Sequence, residues 1–159
     1  MEGLAPCHNL RAVTLRCSWP KPVTPAAIEK LALSWPKLEE LTFSAIWLSP
    51  GVSRTPITIL EDLALAWSET LGVVSLILDE RGQLPSASAV RGRFKKSDTI
   101  WVGDSFLPKD RVLPVAEFIA SMCTTTPRIF APGSEDFEGN WEAVEQRVAK
   151  ILHSRQTSQ

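Results

Sequence analysis

Little in this chain is extreme, and what it lacks removes several classes at once. Its net charge is −1, so there is no whole-chain attraction to nucleic acid or to an anionic membrane. No apolar run approaches the roughly 20 residues a membrane helix needs. The opening MEGLAPCHNLRAV has no basic stretch followed by an apolar one, so it does not read as a signal peptide. Cysteine is scarce: Cys7, Cys17 and Cys123 cannot all pair and have no framework spacing, which fits a reduced, intracellular protein. Phosphate loop, dinucleotide fingerprint and paired-histidine metal motif are all missing, and no cofactor is expected. What remains is 159 residues of ordinary composition, 44% hydrophobic and 22% charged. That length suits one domain able to bury roughly 70% of its unfolded surface.

Against this plain background one pattern recurs. The stretch 31–43, LALSWPKLEELTF, ends a helical segment at Trp35, turns at Pro36 and enters a strand through Leu38, Leu41 and Phe43. This is L-x-x-L-x-L preceded by a helix, the core of a leucine-rich repeat. Leu10, Val13 and Leu15 open the series, and Leu71, Val74 and Leu76 continue it after Leu63-Ala64-Leu65-Ala66-Trp67. Two weaker units keep only Ile100 and Val102, then Ile129 and Ala131. First positions fall at Leu10, Leu38, Leu71, Ser97 and Thr126, at intervals of 28, 33, 26 and 29 residues. Each unit of such a series hides its apolar face only by stacking on its neighbours.

The linking segments have helix punctuation. Thr24 followed by Pro25 reads as an N-cap with proline at the first helical position, and Ile28, Leu31, Ala32 and Trp35 then share a face. Thr58 and Glu61 have capping-box spacing ahead of Leu60, Leu63, Ala64 and Trp67. Pro114 is expected to open a third helix with Val115, Phe118, Ile119 and Met122 on its apolar face, while Pro36 and Pro127 help to end helices. Trp35 and Trp67 occupy matching positions and are expected in the core. A last helix, N-capped by Asn140 and running to about His153, carries a stripe of Trp141, Val144, Val148, Ile151 and Leu152. Glu142 and Glu145 near its start and Lys150 and His153 near its end suit the helix dipole.

The expected architecture is therefore α/β: a short leucine-rich-repeat solenoid, a parallel sheet of about five strands, helices on the convex face and a C-terminal capping helix. Residues 1–9 are a lead-in, 10–153 the repeat domain, and 154–159 a flexible tail. Nothing before Leu10 resembles a cap, although solenoids need one at each end. Either the chain is the C-terminal piece of something longer, or a partner covers its N-terminal strand edge. The stretch 80–98 breaks the rule, having two glycines, a proline and no helical period. It holds Arg81, Arg91, Arg93, Lys95 and Lys96, and reads as a solvated basic loop in place of a helix. A phosphate or nucleic-acid contact is the other reading; Phe94 alone interleaves, which argues against nucleic acid.

Two motifs and the terminal helix resemble a known family. Leu31-Ala32 leads through Trp35-Pro36-Lys37-Leu38-Glu39-Glu40-Leu41, and Ile100-Trp101-Val102-Gly103-Asp104-Ser105 is followed by Pro108, by 115–119 (VAEFI) and by Pro127-Arg128-Ile129. With the tryptophan-led terminal helix, 10–153 is similar to the C-terminal repeat region of F-box/leucine-rich-repeat proteins of mushroom-forming (basidiomycete) fungi. Where that repeat class usually has asparagine or cysteine after the strand, Ser18 and Ile46 stand here. The F-box itself, the helical segment that docks on a ubiquitin-ligase adaptor, has no counterpart in 1–159. The resemblance implies a non-catalytic protein-binding module, the substrate-recognition half of a ligase subunit. A free-standing repeat fragment without a ligase role is the alternative.

In L-x-x-L-x-L the intervening residues point to the concave sheet face. The candidate partner-binding residues are Thr14, Arg16, Glu40, Thr42, Ser44, Ser75, Ile77 and Trp101. Trp101 either stands exposed as an anchor or packs under the 81–96 loop. Gly103-Asp104-Ser105 also resembles the nucleophile block of GDSL-type esterases, with Ser105 exposed at a strand end on a glycine turn. Such enzymes place an aspartate three residues before a C-terminal histidine, but Lys150 stands three before His153. Gly103 as a permissive turn capped by Asp104 or Ser105 is the simpler reading. Cys7, His8 and Cys17 lack any zinc spacing, and Glu135, Asp136 and Glu138 read as solvated loop carboxylates.

Overall fold

The computed structural model describes residues 7–17, 22–45, 54–96, 98–131 and 139–157. Seven strands and four α-helices are described: β1 (Ala12–Cys17), α1 (Pro25–Ser34), β2 (Glu40–Ala45), β3 (Thr55–Pro56), α2 (Ile59–Ala66), β4 (Val73–Ser75), β5 (Leu78–Asp79), β6 (Thr99–Trp101), α3 (Val112–Met122), β7 (Arg128–Phe130) and α4 (Asn140–Thr157). Five strands form one sheet in the order β1-β2-β4-β6-β7. Every pairing in it is parallel, so the chain adds strands in sequence order and makes a crossover before each. The fold is α/β, a five-stranded parallel sheet with helices.

The register follows the apolar spacing. Val13 pairs with Leu41, Leu41 with Val74, Val74 with Ile100 and Ile100 with Ile129. These five side chains form one row across the sheet, and all are buried. Burial of each contributes about 1.5–3 kcal/mol. Slipping any strand by one residue would send its member of the row to the other face. Leu38, Leu71, Leu76 and Val102 join them in the core. Ser97, Ser18 and Ile46 lie outside the described residues, as do Glu135, Asp136 and Glu138.

Helix α1 starts as its sequence dictates: the Thr24 hydroxyl accepts from the Ala27 N–H at 3.3 Å with Pro25 behind it. Its buried face includes Ile28 and Leu31, closed by Trp35. Trp67 is also buried, and its indole N–H donates to the Trp35 carbonyl at 2.8 Å, tying successive units together. Helix α2 differs from expectation at its start. Thr58 already has helical backbone angles and makes no side-chain cap bond. Glu61 instead accepts the Arg91 N–H at 2.9 Å. Helix α3 begins two residues before Pro114, after a 3-10 turn at Lys109–Arg111, so the proline sits inside the first turn, where its missing N–H costs nothing.

The stretch 80–98 has no helix among its described residues, but it is not merely solvated. Phe94 is 1% exposed and bridges to Cys123 through its N–H on the Met122 carbonyl, 2.7 Å. A Cβ on Gly92 would lie 2.5 Å from the Glu61 carbonyl oxygen, so glycine lets this segment lie close against α2. Strands β3 and β5 pair in a second, two-stranded parallel sheet that repeat spacing does not anticipate.

At the far end α4 packs on α3 and β7. The Ile129 N–H donates to the Glu145 carboxylate at 2.6 Å, and the Trp141 indole N–H to the Ser105 carbonyl at 2.8 Å. The helix runs to Thr157, so 154–157, expected as a flexible tail, are helical; the Ser154 and Thr157 hydroxyls close its last turn on backbone carbonyls. Asn140 is the first helical residue, and its side-chain amide donates to the Leu107 carbonyl at 3.0 Å. At the opposite edge, β1 has a paired strand on one side only among the described residues.

Candidate functional site

Alternation puts the residues between the buried row on the other face of the sheet. Thr14 pairs with Thr42, Thr42 with Ser75, Ser75 with Trp101 and Trp101 with Phe130. A second row is Ala12, Glu40, Val73, Thr99 and Arg128, and Arg16 pairs with Ser44. Thr14, Arg16, Glu40 and Trp101 are exposed; Thr42, Ser44, Ser75 and Ile77 are half-buried. Ile77 lies two residues beyond Ser75, and its Cγ1 would sit 3.4 Å from a Cβ placed on Gly103. Seven of the eight candidate residues, all but Ile77, are thus placed by register on one face, turned away from the buried row.

Trp101 stands part-exposed at the end of β6. Its ring stacks on Phe130, with centroids 4.7 Å apart and planes 22° from parallel. Each residue is 38% exposed, which leaves much of an aromatic surface open to solvent. Offset stacking restrains both side chains before any ligand arrives, reducing the rotamer freedom lost on binding. Thr14, Thr42 and Ser75 continue from the pair as short polar side chains, and Arg128 lies two residues before Phe130 on the same face of β7.

Phe130 and Arg128 were missing from the sequence-derived set. The fifth unit keeps so little of the motif, only Ile129 and Ala131, that its intervening positions are hard to place from sequence. The signal was there nonetheless: Phe130 lies between Ile129 and Ala131 as Trp101 lies between Ile100 and Val102.

Ser105 occupies a different environment from an exposed nucleophile. It is 0% exposed; its hydroxyl donates to the Val102 carbonyl and accepts from the Leu78 N–H at 2.7 Å. Gly103 takes the left-handed turn (φ 52°) that precedes it. The serine joins the turn after β6 to the start of β5, a task for a buried hydroxyl with both functions used.

Next to that tie, Asp79, Glu80 and Arg81 form a cluster of titrating groups. Burial raises the pKa of Glu80, and hydrogen bonding and repulsion from Asp79 raise it further. For Asp79 burial acts upward but is outweighed by bonds from the Arg81 side chain and backbone, which hold it low. Arg81 is an exposed partner, so the pair is an edge feature and not an enclosed acid–base site. Among the described residues no three His, Cys, Asp or Glu side chains converge as metal ligands, and no helix is long and apolar enough to cross a membrane.

No family model matches the chain, and neither a curated protein nor a solved structure shows significant similarity to it.

Proposed function

We propose that the chain is a short leucine-rich-repeat solenoid that works without catalysis, presenting the open face of its sheet to a protein partner. By its resemblance to the fungal F-box/leucine-rich-repeat proteins, it would be the substrate-recognition region of an intracellular ubiquitin-ligase subunit. The observation that carries this reading is the stacked, exposed Trp101–Phe130 pair in register with Thr14, Thr42 and Ser75. Large aromatics beside small polar groups are what a protein-docking surface uses as anchors.

Support also comes from the economy of the face. A sheet that only needed solubility would place charged or polar residues at Trp101 and Phe130. A photo-crosslinking side chain introduced at Thr42 or Ser75 should capture one protein in cells, and the same probe at Leu33, 81% exposed on α1, should not. Capture should fall when Trp101 is changed to Ser. Equal capture from Leu33, or capture indifferent to Trp101→Ser, would contradict the reading. A captured protein whose ubiquitylation is unaffected by removing this chain would favour a repeat module outside any ligase.

A further inference from the structure

The basic stretch 80–98 is left over by the reading above, and most of its cations have structural partners. Arg81 pairs with Asp79, Arg91 with Glu61 and Lys95 with Glu69. Arg93 has no ion pair among the described residues, and it lines a groove of about 730 Å³ on the side of the molecule that carries the ends of α3 and α4. Arg155, from the last turn of α4, lines the same groove. No carboxylate belongs to the lining among the described residues. We propose that this groove, between Arg93 and Arg155, binds a phosphomonoester.

The backbone fixes where Arg93 leaves the chain, and it holds the Arg155 guanidinium directly. Next to Arg93, the Phe94 N–H donates to the Met122 carbonyl at 2.7 Å, and the Phe94 carbonyl accepts the Thr124 N–H and hydroxyl, each at 3.3 Å. Arg155 donates one N–H to the Ala120 carbonyl at 2.7 Å, which fixes its guanidinium against the end of α3 and leaves four of its roughly five donors for other acceptors. Two guanidinium groups lining one groove, one of them anchored, suit a tetrahedral dianion, which can accept a forked pair of bonds from each.

The neighbouring groups define what the ligand must accept from. Ser121 donates its hydroxyl to the Phe118 carbonyl, Ser154 to that of Ile151, and Thr124 to that of Phe94. Their protons are therefore committed, and the donors facing an anion are the two arginines and the Gln156 amide. The groove is far larger than a phosphate group, and Ala87 and Leu152 supply apolar wall for an organic body attached to it. The groove also lies at the C-terminal ends of two helices, where the dipole repels anions. A phosphomonoester's three terminal oxygens can take a forked pair of bonds from each of two guanidinium groups, which a carboxylate's two oxygens cannot, so phosphate is the group that best offsets that repulsion here.

Calorimetric titration of the whole chain with O-phosphoserine, inorganic phosphate and serine tests this. Phosphoserine and phosphate should both bind at pH 7.5, phosphoserine more tightly, and serine should not. Since the second phosphate ionisation lies near pH ~6, affinity should fall at pH 5. Arg93→Gln should weaken binding about tenfold or more, the usual loss for one charge-assisted pair, with melting temperature unchanged because the side chain is exposed. Lys30→Gln, an equal loss of charge on α1, should bind as the parent does. Phosphate without phosphoserine binding would reduce the site to a subsite for the free ion and overturn the monoester assignment. Binding unchanged in Arg93→Gln, equal weakening in Lys30→Gln, or no heat with either phosphate would refute the site altogether.

Discussion

Replacing Ser105 with alanine removes one oxygen that serves two elements. The Leu78 N–H loses its acceptor at 2.7 Å, and Leu78 is 1% exposed, so water does not readily take the place of the hydroxyl. A buried donor left unsatisfied costs about 1–3 kcal/mol. The Val102 carbonyl also loses the serine O–H, but it keeps the Ser105 backbone N–H at 3.1 Å, so its share is small. A total of about 1–3 kcal/mol corresponds to a fall in melting temperature of about 2–12 °C for a domain of this size. Thermal melting followed by circular dichroism, with urea titration to check that the transition stays two-state, is the assay. A melting temperature within about 1 °C of the parent would refute the assigned role. So would loss of an ester-hydrolysing activity in Ser105→Ala at unchanged stability, since that would identify a nucleophile and not a tie.

Leu41→Asp places a carboxylate at the middle of the buried row, where Leu41 is 0% exposed, and should leave no cooperative melting transition at neutral pH. Gly92→Ala should destabilise far more than a typical loop substitution, because its Cβ meets the Glu61 carbonyl at 2.5 Å; a melt within about 1 °C of the parent would show that the segment lies elsewhere. Glu80, with a folded pKa raised above its ordinary 4.5, contributes stability that is full below that value and is lost as pH rises through the folded value. Glu80→Gln removes that titration, so its stability relative to the parent should grow from about pH 4 to pH 7; a constant difference in urea midpoints would contradict this.

How far the sequence foretold these features depended on whether a residue's role repeats. Leu41, Val74 and Ile100 were readable because a stacked sheet demands the same apolar group at the same place in every unit. Once that row was known, the alternation of a strand supplied Thr14, Thr42, Ser75 and Trp101 without further information. Phe130 required trusting a unit that keeps only Ile129 and Ala131. Strands β3 and β5 are two residues each, too short for any period, and their pairing depends on where distant segments arrive. Thr58 illustrates a local rule overridden: its spacing from Glu61 suits a capping box, but Glu61 is taken by Arg91 from a segment 30 residues away. Exposure of Ser105 could not be read from Gly103-Asp104-Ser105, since the same glycine turn serves an exposed nucleophile or a buried tie.

The fold and the proposed docking face both rest on the register between β2 and β4. With Cys7, Cys17 and Cys123 replaced by serine, Thr42→Cys can be combined with Ser75→Cys, its Cα partner on the same face, or with Val74→Cys on the opposite face. Neighbouring strands lie about 4.8 Å apart, within disulfide range, but only side chains on one face can meet. Under mild oxidation the Thr42/Ser75 pair should form an intramolecular disulfide and the Thr42/Val74 pair should stay reduced. The opposite outcome would shift one of the two strands by one residue, put Thr42 and Val74 on the same face, and contradict the assignment of both faces.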